Sequence, residues 1–163
     1  GPHIAKEMVM PVQKLKQFLD ENKVKYVTIS HSPAFTAQQI AASAHVSGKD
    51  LAKTVMVKVD GHVAMAVLSA THQINFDRLK DAVGAKKVEL AGEEEFKQLF
   101  PQCEVGAMPP FGNLYEMEVY MDRRLAEDED IAFNAGSHTE LIKMHCADYK
   151  HLVKPRVLEF SPH

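Results

Sequence analysis

The run Lys53-Thr54-Val55-Met56-Val57-Lys58-Val59, the pair Asp60-Gly61 and the run His62-Val63-Ala64-Met65-Ala66-Val67-Leu68 constrain this chain more than any other feature. Two β-rich segments of equal length joined by Asp-Gly predict a two-residue hairpin, because Asp and Gly tolerate the positive φ that such a turn demands at its centre. An antiparallel hairpin in mid-chain argues against a regular β-α-β alternation. The flanking segments extend the pattern. Val12, Leu15, Phe18 and Leu19 recur at helical spacing and predict a helix ending near Asn22. Residues 24–30 are β-branched and aromatic and predict a strand. Thr36-Ala37-Gln38-Gln39 has the form of a capping box opening a helix to about His45. Asn75 predicts a helix start and Gly84 its close. Further strands are expected at 86–90, 115–121, 130–133, 139–144 and 156–160, with helices at 93–100 and 147–153. The expectation is a mixed α/β (α+β) domain: a largely antiparallel sheet or partial barrel of about seven strands with surrounding helices.

Length and composition set the outer limits. A chain of 163 residues fits one domain. Residues 1–9 read as a tag or disordered N-terminus, and 10–163 as a single domain. The longest aliphatic stretch, 64–68, is far too short to span a bilayer, and no secretory leader is visible, so the sequence reads as cytoplasmic. Cys103 and Cys146 are far apart and read as free thiols. A formal charge of −3 argues against coating long stretches of nucleic acid, since that draws on many Lys and Arg, but leaves room for contact with one end of an RNA.

There is no Gly-x-Gly-x-x-Gly, no Walker loop, no His-Glu-x-x-His and no Gly-x-Ser-x-Gly. The nine histidines lack ligand spacing, so no metal and no cofactor is expected. Three segments could carry chemistry. Lys53 opens the first hairpin strand and could project over a pocket as well as into water. Gly106-Ala107-Met108-Pro109-Pro110-Phe111-Gly112 must be a stiff loop, its prolines fixing φ and its glycines letting backbone approach a ligand. N–H groups on such a loop can hold a carbonyl oxygen as charge develops on it. Asn134-Ala135-Gly136-Ser137-His138 makes a third turn. Each segment alone also reads as ordinary surface or turn.

Their order and spacing, with the upstream His31-Ser32-Pro33-Ala34-Phe35-Thr36, resemble the YbaK/prolyl-tRNA-synthetase-associated family of aminoacyl-tRNA deacylases from about Val12 to Phe160. The resemblance implies a YbaK-like fold and a trans-editing activity. The ester of a small noncognate amino acid on tRNA, tRNA-Pro foremost, would be hydrolysed by water with no protein nucleophile. It carries the family's central lysine onto Lys53, polarising donors onto Gly106, Gly112 and Gly136, and a polar or proton-shuttling role onto His138. His31, Phe35, Thr54, Met56, Met108, Pro109, Pro110, Phe111 and Ser137 are the implied substrate-binding residues. Thr54 stands where alanine-clearing members have asparagine, so alanine, cysteine, serine or another small residue all stay open. The implied partners are the acceptor end of a mischarged tRNA, with Lys49, Lys53, Lys58, Lys154 or Arg156 near phosphates, and an aminoacyl-tRNA synthetase that delivers it. A non-catalytic tRNA or synthetase adaptor of the same fold and a small-ester hydrolase are the alternatives.

Overall fold

The computed structural model describes residues 11–32, 36–43, 45–101, 103–104 and 106–161. Helix α1 (Pro11–Glu21) is followed by β1 (Tyr26–Ser30), α2 (Ala37–Ser43), a 3₁₀ turn (Gly48–Asp50), β2 (Ala52–Val59) and β3 (His62–Ser69). Then come α3 (Phe76–Val83), β4 (Val88–Leu90), α4 (Glu93–Phe96), β5 (Val119–Asp122), α5 (Arg123–Ala126), β6 (Asp130–Asn134), β7 (Glu140–His145), α6 (Cys146–Val153) and β8 (Arg156–Leu158). Among the described residues eight strands thus stand against the expected seven or so.

The local signals act as expected. β2 and β3 pair antiparallel in unbroken register from Ala52↔Ser69 to Val59↔His62. Asp60 (φ 47°) and Gly61 (φ 89°) turn the corner in the left-handed region. The Asn75 side chain accepts from the Arg78 N–H, and Gly84 closes α3 at φ 72°. Thr36 and Gln39 form the reciprocal capping box of α2, at 2.8 and 3.2 Å. Two spans differ from expectation. The 93–100 helix breaks into α4 and a 3₁₀ turn (Lys97–Leu99), because Phe100 precedes Pro101 and leaves the helical region. The strand expected from Tyr115 begins only at Val119: Gly112–Tyr115 is a 3₁₀ turn that ends with Glu116 at φ 54°.

The strands form a five-stranded sheet, β4-β2-β3-β5-β8, and a three-stranded sheet, β1-β7-β6. The small sheet is antiparallel throughout, whereas β3-β5 and β5-β8 are parallel, so the larger sheet is mixed. The sheets meet at one parallel bridge, Leu51↔Ala132, which makes a partial barrel. β4 covers β2 only from Val57 to Val59, so the barrel is open beside the first half of β2.

Both faces of β2 are covered. Ala52 and Met56 belong to the main interior with Val67, Phe111, Phe133 and Tyr149. Val57 joins Ala64, Leu68, Leu79 and Phe160 on the outer face under α3. A third small core, Leu51, Ala132 and Leu141 with Ile40 of α2, lies at the bridge. Among the described residues no helix is long and apolar enough to cross a membrane.

Candidate active site

The parity of β2 decides where its polar residues go, because successive side chains in a strand face opposite sides. Thr54 is buried on the inner face between Ala52 and Met56. Lys53 therefore shares the outer face with Val55 and with its cross-strand partner Leu68. The bridge then orients Lys53 relative to β6. Leu51 and Ala132 are partners in a parallel pair and sit in one small core. Two residues further along each strand come Lys53 and Asn134, on the same face and toward the same end.

Lys53 is half-buried and makes no side-chain hydrogen bond or ion pair among the described residues. Burial without a counter-charge holds its ammonium below the ordinary lysine range. Asn134 is half-buried too, and its amide is likewise without a partner among the described residues.

Beyond Asn134 the chain enters the 136–138 turn, and here the glycine loop joins it. Gly136 N–H donates to Ala107 O at 2.9 Å, and Glu104 N–H donates to Gly136 O at 2.9 Å. Ala107 N–H closes back onto Glu104 O at 3.0 Å, with Gly106 at φ 87° in the third position of that turn, where type II turns place glycine. The His138 ring lies beside Gly106: a Cβ on that glycine would stand 3.6 Å from His138 Cε1. Ser137 Oγ accepts from Thr139 N–H at 3.3 Å and fixes the turn. His31 is buried and donates its backbone N–H to Thr139 O at 2.8 Å, which brings the end of β1 to the same place. Gly106, Gly136, Ser137, His138 and His31 thus gather beyond the end of β6, while Lys53 follows the bridge residue Leu51 along β2 as Asn134 follows Ala132 along β6.

The other expected residues go elsewhere. Phe35 lies outside the described residues. Thr54, Met56, Met108 and Phe111 are buried, and the last three belong to the main interior. Phe111 packs against Phe18, Phe133 and Tyr149. Pro109 and Pro110 are buried as well, with Tyr149 Oη donating to Pro110 O at 2.6 Å. This half of the loop is an anchor in the core.

Two glycine roles change. A Cβ on Gly112 would meet Met117 O at 2.6 Å and Val119 Cγ2 at 2.7 Å, so its small size serves packing rather than ligand approach. The Gly136 N–H is already engaged by Ala107, so that residue supplies the bend (φ 100°) and no donor. Gly106 and Met108 keep backbone N–H groups that donate to no backbone acceptor among the described residues.

Of the phosphate contacts expected from sequence, Lys58 is held by Glu95 and Glu89, and Arg156 lies over the Tyr120 ring. Lys49 lines a hollow of about 390 Å³ with Ser69, His72, Arg124 and Asp128, toward the start of β6 rather than the 136–138 turn. Burial and a hydrogen bond with Asp50 push the Asp128 carboxyl up to about 7. Two other hollows, of about 530 and 780 Å³, lie at the hairpin turn and beside β1, away from Lys53. Among the described residues no three His, Cys, Asp or Glu side chains converge as a metal ligand set.

Comparison with known proteins bears on this geometry. A family model described as an aminoacyl-tRNA editing domain matches residues 31–152. A Ser/Thr-tRNA deacylase of Escherichia coli K12, ProXp-y, is 27% identical over 154 residues, covering 91% of each chain. A proline–tRNA ligase of Bacillus mycoides is 30% identical over 89 residues, but the match spans 55% of this chain and only 16% of the ligase. A crystal structure of a candidate trans-editing enzyme for prolyl tRNA synthetase superposes with a TM-score of 0.80 at 16% identity, over 96% of this chain and 99% of that one. The last likeness establishes the fold.

Proposed function

This chain belongs to the aminoacyl-tRNA editing domain family, matched along most of its length, and we propose that it hydrolyses the ester linking a small noncognate amino acid to tRNA. What supports the reading is that β2 carries a half-buried ammonium without a counter-charge among the described residues, and that β6, bridged to β2 at Leu51–Ala132, runs on to a glycine turn whose Gly106 and Met108 N–H groups donate to no backbone acceptor among the described residues. An ester carbonyl placed there meets positive charge from Lys53 and donors from Gly106 and Met108 as its oxygen becomes negative. One such donor is typically worth about 3 kcal/mol of transition-state stabilisation. Water attacks the carbonyl carbon, aided by a ribose hydroxyl of the substrate. His138, beside Gly106, is placed to pass a proton toward the departing ribose oxygen.

Such an activity answers a physical limit. A synthetase pocket separates side chains that differ by a methylene by only about 1–3 kcal/mol, so mischarged tRNA has to be cleared afterwards. The proline–tRNA ligase relative supports tRNA-Pro as the carrier and the Ser/Thr-tRNA deacylase supports serine as the amino acid, while alanine, cysteine and delivery by a synthetase rest on the sequence resemblance. The cytoplasm, where tRNA is charged, is the proposed location. Residues 10–163 act as one editing unit in this reading.

A deacylation panel tests it. Purified protein is incubated with tRNA-Pro carrying alanine, serine or cysteine, and with proline as control. Loss of one small noncognate ester well above the buffer rate, with prolyl-tRNA spared, is the expected result. Rates equal to buffer on every substrate would sink the proposal.

A further inference from the structure

We infer that Glu104 is a positioning residue of the editing site, locking the glycine loop to the 136–138 turn so that donors and histidine form one frame. The inference rests on the deacylase reading above and adds a residue to it. Glu104 bonds the turn through both its backbone and its side chain. Its N–H donates to Gly136 O at 2.9 Å, and its own carbonyl accepts from Ala107 N–H at 3.0 Å. Its side-chain Oε2 accepts the His138 backbone N–H at 2.8 Å and lies 4.0 Å from His138 Nε2. Three backbone groups, Gly136 O, Ala107 N–H and His138 N–H, are thereby fixed around one residue, whose side chain reaches 34 residues along the sequence.

The backbone bonds survive any substitution; the side-chain bond does not. The carboxylate spans from the loop to the far side of the turn, closing the ring Glu104–Ala107–Gly136–His138. Without it the His138 N–H loses this acceptor, while Gly136 stays tied to Ala107. The residue affected is the one whose ring lies against Gly106, where the proposed mechanism puts the reacting carbonyl. Glu104 itself is about half exposed and makes no core contact, so losing its side chain leaves the interior unchanged. A misplacement of about 1 Å in such a frame can cost up to roughly 100-fold in rate.

The test compares wild type, Glu104→Ala and Glu104→Gln on the mischarged tRNA that the wild type clears best. Glutamine keeps an oxygen that can accept the His138 N–H; alanine does not. The expected result is a kcat for Glu104→Ala lower by about 10- to 100-fold, a KM within about threefold, and recovery of most of the loss in Glu104→Gln. The backbone amide resonance of His138 should shift in Glu104→Ala and stay near its wild-type position in Glu104→Gln, which reads the bond directly in the folded protein. Wild-type kcat in Glu104→Ala, or a Glu104→Gln as impaired as Glu104→Ala, overturns the positioning role while the deacylase reading stands. A wild type that clears no ester overturns the deacylase reading, and the inference with it.

Discussion

Lys53 and Lys58 sit on one strand, five residues and about 17 Å apart, yet their surroundings could hardly differ more. Lys58, near the hairpin turn, lies between Glu95 and Glu89, and the Glu95 hydrogen bond raises its ammonium above the ordinary range. Lys53, at the open end, is half-buried with no counter-charge among the described residues, and burial lowers it. An exposed ion pair holds a side chain loosely in place and contributes little else. A cation kept partly dry and unpaired costs the fold something, and such costs cluster where a ligand supplies the missing charge. In the proposed mechanism chemistry therefore belongs to one end of β2 and surface order to the other.

The largest effect should come from removing each ammonium in turn. Lys53→Ala is expected to lower kcat/KM for deacylation by at least about 100-fold, or roughly 2.7 kcal/mol, with the far-UV spectrum unchanged. Lys58→Ala should stay within about twofold of wild type, as befits a solvated pair. Similar losses in both variants would erase the distinction between the two ends.

A second contrast separates two glycines of one loop. Gly112→Ala drives a Cβ into the Met117 carbonyl and the Val119 side chain, so it should destabilise the fold by about 1–3 kcal/mol. Scanning calorimetry should then show Tm lower by roughly 2–12 °C, since 1 kcal/mol moves a chain of this size by about 2–4 °C. Activity at a temperature where the variant is folded should stay within a few-fold. Gly106→Val sets its Cβ in ordinary contact with the His138 ring, 3.6 Å from Cε1, but forces a β-branched residue to φ 87°, straining the turn that presents the donors. It should cost about tenfold or more in kcat, the loss of a well-placed donor being the cause. If Gly112→Ala is the variant that loses turnover while stable, the two roles are exchanged.

The same contrast explains what was legible beforehand. The hairpin, the Asn75 cap with Gly84, and the Thr36–Gln39 box rest on residues within a few positions of one another, so local chemistry announces them. The faces of β2 were not legible, because helices and a second sheet cover both sides and the apolar run does not alternate. Thr54 and Met56, which the family resemblance assigns to the substrate site, are buried on the inner face of β2. Phe111 was ambiguous for a related reason: a loop aromatic flanked by prolines is equally suited to a ligand wall and a core anchor, and only Phe18, Phe133 and Tyr149 decide it. Glu104 gave no signal at all. Its partner His138 is 34 residues away, and nothing in a single glutamate marks which turn it will clasp.

The smallest effect is a titration that follows the two lysines directly. Reductive methylation with ¹³C-formaldehyde, assigned with Lys53→Arg and Lys58→Arg, gives each a resonance that reports its protonation. Lys53 should lose its proton at lower pH than Lys58, the one held down by burial and the other held up by Glu95. The linkage to stability has a definite sign. Between the lowered folded value and the ordinary 10.5 of an unfolded lysine, the unfolded chain binds more protons, so stability rises with pH across that window. At neutral pH both states are protonated and the fold carries the whole penalty of the half-buried ammonium. Lys53→Met removes the charge and keeps the apolar stem, so its Tm at pH 7 should match or exceed wild type even though deacylation is lost. A clear drop in Tm would mean that Lys53 has a stabilising partner in the folded protein, and the contrast between the two ends of β2 would fail at its root.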